Sequence, residues 1–469
     1  MSDATLSAAH VRPALPPGPR GQFIFGSLND YRRDLLGLYR TAARDHGDIA
    51  RITFFGQDTF AFSHPDYFKY VLQDHNKNYR RNEFLNSIVR LFLHDSLFTA
   101  DGDDWLSRRR LMQPAFHRQR IAGFGGLMAD AAQATLAEWD ARPDGQRVEL
   151  DQAMMAIALR VAGQALFSVD LHGEESALGR AFTDMSEILN YRMGNPFQFP
   201  AWVPTRSNRL YTRTHRALDD KIYAIIRARR ASAEEHNDLL GMMMAARDAD
   251  TGEAMSDATL RNEVLVMMFA GHETTAVTLG WAFYLLSQHP EVEAKLHAEL
   301  DSVLAGRAPA IADLPNLPFT RRVVDETLRL YPPAWGIARQ QVAPAEFGGY
   351  LLPANASLTL VINNVHHDER FWDHPERFDP DRFTPERSHG RHPFAYLPFG
   401  AGPRQCIGNQ FALTEAHLVL AAIAQRYKFR LVEGHPVQPR PVFVLRTSHG
   451  LPMTAHRRKP AARPRSATS

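Results

Sequence analysis

Apolar residues recur at helical spacing through most of the chain, most clearly over 128–139, 152–166, 218–230 and 291–304. The longest such stretch runs from about Ser256, placed to cap a helix N-terminus, to just before Pro290. Leu260, Val264, Leu265, Met268, Phe269, Val277, Leu279, Trp281 and Leu285 leave it little room for a solvent face, which predicts a helix buried through the middle of the protein. An apolar helix of roughly 20 residues could also cross a bilayer. Glu263, His272 and Glu273 argue against that use. Strand signals are fewer. Residues 49–55 and 59–62 flank Gly56-Gln57-Asp58 and predict a hairpin, and short alternating runs over 342–361 and 429–453 predict small sheets. The expected fold class is mainly α with small β-sheets.

No linker-like stretch or internal repeat divides the interior, so one large domain is expected over 21–455. A flexible proline-rich segment (1–20) precedes it and a disordered basic tail (456–469) follows. Basic and acidic side chains number 54 and 52, a balance that speaks against nucleic-acid binding. The first ten residues carry neither a leader pattern nor an apolar run, which predicts a cytoplasmic protein without a transmembrane anchor.

Cys406 is the only cysteine. It cannot close an intramolecular disulfide or complete a four-cysteine metal site, which leaves a buried filler, a nucleophile or a single thiolate ligand. Gly400 and Gly402 allow close backbone approaches, Arg404 brings a fixed positive charge, and the helical pattern from Asn409 puts the sulfur just ahead of a helix N-terminus. No Gly-x-Gly-x-x-Gly is completed: the starts at Gly123 and Gly400 run into Met128 and Gln405.

Phe399-Gly400-x-Gly402-x-Arg404-x-Cys406-x-Gly408 resembles the haem-binding loop of cytochrome P450 enzymes. Ala270-Gly271-His272-Glu273-Thr274-Thr275 resembles the family's oxygen-binding segment. Its physical sense is independent of the name. Ala270 and Gly271 remove bulk, a threonine hydroxyl can bond a carbonyl one turn back and open the helix, and Glu273 with Thr274 supplies an acid and an alcohol to relay protons. A zincin reading of His272-Glu273 fails because position 276 is alanine.

The resemblance implies a P450 fold, with haem b between the long helix and the cysteine-loop helix, Cys406 as axial thiolate, and Glu273 and Thr274 as catalytic residues. It implies cofactor contacts from Trp105, Arg109, Ala270, Arg339, Phe399, Arg404 and Gly408. It also implies a structural network of Glu326, Arg329 and a later arginine, for which Arg382 is chosen over Arg377 because the Asp-x-Pro-Glu-x-Phe segment precedes the locking one. Substrate-facing positions are expected at Val266, Met267, Phe269, Ala334, Trp335, Ile337 and Val444, with Phe197, Phe199 and Trp202 adding to an apolar character.

The implied activity is monooxygenation: one atom of O2 enters a small lipophilic molecule such as a terpene, polyketide or fatty acid, by hydroxylation or epoxidation. Too little chain follows Cys406 for a flavin reductase, so electrons are expected from a separate ferredoxin and ferredoxin reductase. Arg108, Arg109, Arg110, Arg118 and Arg120 form a basic patch suited to an acidic ferredoxin. A haem-thiolate peroxygenase or isomerase and a non-catalytic haem sensor are the alternatives.

Overall fold

The computed structural model describes residues 15–458 apart from 170, 172–174, 196–198, 201, 233, 235–237, 248–251 and 253. The long helix spans Asp257–Gln288, and the Ser256 side chain accepts a hydrogen bond from the Thr259 N–H at its start. Pro290 opens the following helix, Pro290–Leu304. The other periodic stretches fall within the helices Gly125–Asp140, Leu150–Phe167 and Arg206–Ala231.

The long helix occupies the centre. It packs against Leu150–Phe167, Arg206–Ala231, Pro318–Leu330 and Asn409–Arg426. Its buried charges have partners that suit a protein core. Glu263 pairs with Arg108 at 2.6 Å and Arg261 with Asp219 at 2.5 Å. Among the described residues no helix is long and apolar enough to cross a membrane.

The main sheet contains β1 (Ile49–Phe54), β2 (Gln57–Phe62), β3 (Tyr79–Arg80), β4 (Ile337–Gln341) and β5 (Ser357–Leu360), in the order β1-β2-β5-β4-β3. Only β2 and β5 run parallel. The β1–β2 turn is tighter than expected: Gln57 and Asp58 belong to the ladder, opposite Phe54 and Thr53. Phe55 and Gly56 turn the chain alone, both at positive φ, and a Thr53–Asp58 hydrogen bond of 2.6 Å closes the end.

Two expected boundaries move. Arg51 N–H donates to Pro17 O at 2.8 Å, so the described part of the opening segment is tied to β1. At the other end His456 and Arg457 belong to the strand Pro452–Arg457, which lies between Gln146–Glu149 and Tyr427–Leu431. Arg458 donates to the carbonyls of Ala424 and Gln425 and pairs with Asp301. Backbone pairing therefore holds residues 456–458 of the stretch that composition alone assigned to a tail. Residues 1–14 and 459–469 lie outside the described residues.

Candidate active site

The cysteine loop is built by its glycines. Gly400 and Gly402 have φ of 67° and 69°, and a Cβ at Gly402 would stand 1.8 Å from the Leu72 carbonyl oxygen. Cys406 N–H donates to Phe399 O at 3.0 Å, closing the loop ahead of the helix Asn409–Arg426, whose N-cap is Gly408. Cys406 is solvent-accessible but hemmed in by protein. That desolvation pushes its thiol up, against the pull of the Gly408 N–H and Arg109. The expected preference for thiolate is thus outweighed in the protein alone. A metal that deprotonates the sulfur on binding removes the conflict.

Behind the loop lies a fully buried ion network. Glu326 accepts from Arg329 Nε (2.6 Å) and Nη2 (2.8 Å), from Arg382 Nε (3.2 Å) and from the Asp379 N–H (3.0 Å). Arg382 is thus the locking arginine, and it also reaches the carbonyls of Asp373 and His374. Arg377 contributes its carbonyl oxygen, which accepts from Arg329. Arg329 Nη1 donates to His366 O. In turn His366 Nδ1 donates to Arg329 O at 3.1 Å, while its Nε2 accepts from the Leu397 N–H at 2.9 Å. The neutral imidazole is enforced by burial, which drives its pKa well down, and it fixes the backbone two residues before Phe399.

Three guanidinium groups gather beside the loop. Arg404 lies over the Trp105 ring at 4.4 Å, donates to Ala100 O and pairs with Asp101. Arg339 and Arg81 are close enough to repel it and each other. Burial first and these neighbours second pull Arg81 down to about 9 and Arg339 to about 10, while Asp101 opposes the shift. Arg81 Nε is buried without a partner. Three cations facing one carboxylate fit a ligand that carries two carboxylates. Arg81 escaped the sequence reading; its only signal is the Arg80-Arg81 pair beside a short strand. Arg109 stands apart from this cluster, donating to Gln405 O at 2.8 Å next to the sulfur.

On the long helix Ala270 is exposed although 263–269 are buried, so an accessible notch interrupts the core there. Thr274 Oγ1 donates to Ala270 O at 2.9 Å and Thr275 Oγ1 to Gly271 O at 3.2 Å. The helix nevertheless stays continuous, contrary to the expected opening, because each carbonyl oxygen has a second lone pair for its helical N–H. Glu273 is 1% exposed and is held by Arg446 and Ser186. Burial raises its pKa while Arg446 and Ser186 lower it. His272 is buried, its Nδ1 donating to Met268 O, and burial drops it to about 4.

The expected substrate positions divide. Phe269 joins an aromatic group with Phe443 (5.2 Å), which also meets Phe98 at 5.9 Å. Ile337 stays beside the loop, 3.5 Å from where a Gly400 Cβ would stand, and Ala334 is exposed. Val266 and Met267 are core residues, and Val444 packs with Val277 and Trp281. Trp335 also serves the core: it lies against Tyr39 and donates to Val442 O. Phe199 and Trp202 are 67% and 83% exposed; Trp202 lines an open surface cavity with Arg209, Arg213 and Arg216 that shares no residue with the cysteine loop, and Phe197 lies outside the described residues. In the expected basic patch, Arg108 is drawn inward by the ionic pull of buried Glu263. A cavity of about 350 Å³ is lined by Arg40, Tyr284, Tyr331, Asn363 and Glu376, and the one at Trp202 measures about 590 Å³; neither shares a residue with the cysteine loop.

A family model described as Cytochrome P450 matches residues 16–452. The chain is 36% identical over 407 residues to cyclooctat-9-en-7-ol 5-monooxygenase of Streptomyces melanosporofaciens, covering 86% of this chain and 87% of that protein. It is 32% identical over 395 residues to pentalenene oxygenase of Streptomyces avermitilis, covering 84% and 87%. A crystal structure of the cytochrome P450DA heme domain superposes with a TM-score of 0.85 at 28% identity, over 96% of this chain and 99% of that one. With the cysteine loop, its arginines and the buried Glu326 network all in place, the chain belongs to the cytochrome P450 family, enzymes that use haem ligated by a cysteine thiolate, dioxygen and redox partners.

Proposed function

We propose that this enzyme inserts one oxygen atom of dioxygen into a terpene-like hydrocarbon skeleton, using haem b held by Cys406 and electrons from a separate ferredoxin and its reductase. One observation carries the reading: an accessible cysteine sulfur and a three-arginine, one-carboxylate cluster meet through Arg404, two residues before Cys406. That pairing matches the one metal and two carboxylates of haem b.

Bound haem supplies the oxygen-activating chemistry, with the thiolate pushing electron density toward dioxygen. The side chains bind, orient and move protons. Arg81, Arg339 and Arg404 hold the propionates. Thr274 keeps a proton at Oγ1, which at rest is donated to Ala270 O, and Glu273 is the neighbouring acid. Phe98 and Phe443, half-buried and backed by buried Phe269, offer an apolar surface that excludes water and grips hydrocarbon. The names of the two Streptomyces relatives refer to cyclic terpenoid skeletons, which supports the substrate class. Arg110, Arg118 and Arg120 remain as the basic dock for an acidic ferredoxin.

The reduced, carbon-monoxide-bound spectrum tests the ligand. A strongly red-shifted Soret band is expected, and an imidazole-like band left unchanged by Cys406→Ser would overturn the assignment. Cyclic sesquiterpene and diterpene hydrocarbons titrated into the ferric protein should shift it to high spin, and no shift with any of them would remove the substrate class. Equal turnover with hydrogen peroxide alone would favour the peroxygenase reading.

A further inference from the structure

The acid of the oxygen-binding segment is gripped from outside its own helix. Arg446 Nε donates to Glu273 Oε1 at 2.7 Å. Its Nη2 lies 2.5 Å from the same oxygen, buried and without an aligned hydrogen bond. Ser186 Oγ, from the helix Glu175–Met193, reaches both carboxylate oxygens at 3.2 and 3.0 Å. Arg446 sits on the strand Leu445–Thr447, paired with Pro439–Pro441. The turn between these strands carries Phe443, whose ring rests on Phe98 and on Phe269, the residue before exposed Ala270. The first strand is fastened to the same Ser186-bearing helix, since Arg440 pairs with Glu187 at 2.7 Å. One short hairpin therefore touches the apolar wall with its turn and holds the acid three residues later.

We propose that this hairpin couples seating of an apolar ligand in the notch at Ala270, against Phe443, to release of Glu273, with Arg446 as a positioning residue. Pressure on Phe443 shifts the turn and loosens the Arg446 grip. The freed carboxyl takes a proton from solvent and passes it to Thr274 Oγ1, whose own proton leaves toward dioxygen reduced by the external donor. Burial alone favours the protonated acid once Arg446 withdraws, so release and proton loading coincide. The inference rests on the haem-thiolate reading above.

The test uses the haem-loaded ferric protein and two probes, imidazole and 4-phenylimidazole; only the second carries an aryl group toward the notch at Ala270. Infrared difference spectra follow the protonated-carboxyl band that Glu273→Gln removes. The band is expected to grow with 4-phenylimidazole and not with imidazole, and Phe443→Ala should abolish the response. Arg446→Met should show the band at full height without any probe, and Arg446→Lys, which keeps the charge, should restore probe dependence if the methionine variant fails to fold. A 4-phenylimidazole-induced Soret shift with an unmoved Glu273 band overturns the coupling alone. A Soret band unmoved by either azole overturns the haem-site reading with it.

Discussion

Glu326→Ala is expected to abolish recovery of haem-loaded protein. The carboxylate accepts four hydrogen bonds from Arg329, Arg382 and the Asp379 N–H, in a site where both arginines are buried. Removing it leaves two guanidinium groups short of their counter-charge, and breaking a buried pair in this way costs about 3–5 kcal/mol. A domain stable by roughly 5–15 kcal/mol loses a large share of its margin, and the unfolded fraction rises by roughly two to four powers of ten. The loss also travels: Arg329 positions His366, and His366 holds the Leu397 N–H ahead of the cysteine loop. Arg382→Met should cost less, because the two short Arg329–Glu326 bonds survive. The apolar pair Glu326→Leu with Arg329→Leu should recover part of the stability without restoring the loop. Urea unfolding followed by far-ultraviolet circular dichroism and by the Soret band, together with the yield of the reduced carbon-monoxide complex, measures both parts. A Glu326→Ala protein with normal haem content and an unchanged midpoint would refute the reasoning.

Arg81→Met should leave the fold intact and speed haem loss to an apomyoglobin trap by about 10- to 100-fold, the worth of a charged hydrogen bond of ~1.5–3 kcal/mol; an unchanged rate would remove Arg81 from the dianion site. Arg108→Ala should lower stability by about 3 kcal/mol through stranded Glu263 and leave the salt dependence of ferredoxin-driven reduction untouched, whereas Arg110→Ala, Arg118→Ala and Arg120→Ala should flatten that dependence. Burial drops His417 to about 4, against about 6.5 in an unfolded chain, so its stabilising share is complete above 6.5 and is lost as pH falls toward 4. His417→Gln should therefore reduce the slope of urea stability over that window by up to ~1.4 kcal/mol per pH unit, and parallel slopes would count against the buried imidazole. Glu415 is fully buried with both carboxylate oxygens unpartnered, and burial lifts its pKa far above the usual range. Glu415→Met should raise stability at pH 7–8 by roughly 1–3 kcal/mol, to be read from the same unfolding curves; a loss would mean that the carboxyl has a bonded partner.

What was readable in the chain was readable because it is local. The glycines, Arg404 and Cys406 stand in one ten-residue run, Glu326 and Arg329 are one helical turn apart, and Ser256 caps the helix it begins. The choice of Arg382 over Arg377 also rested on a short frame, and the side chain of Arg382 does reach Glu326. The contacts that decide how Glu273 behaves are not local. Ser186 lies 87 residues before it and Arg446 lies 173 after it, in a two-stranded hairpin too short to announce itself by alternation. Trp335 and Trp202 are the opposite case, in which residue type suggested substrate contact and the fold shows other surroundings. The first indole donates to Val442 O in the C-terminal hairpin, and the second lies exposed at the rim of a surface cavity away from the cysteine loop. Arg108 belongs to neither case: its helix was legible, but of three successive arginines two turn inward, Arg108 to Glu263, buried on a helix 155 residues away, and Arg109 to the Gln405 carbonyl. A buried carboxylate selects its arginine by geometry that only the packed helices define, so the charge of a surface patch can be counted from sequence while its membership cannot.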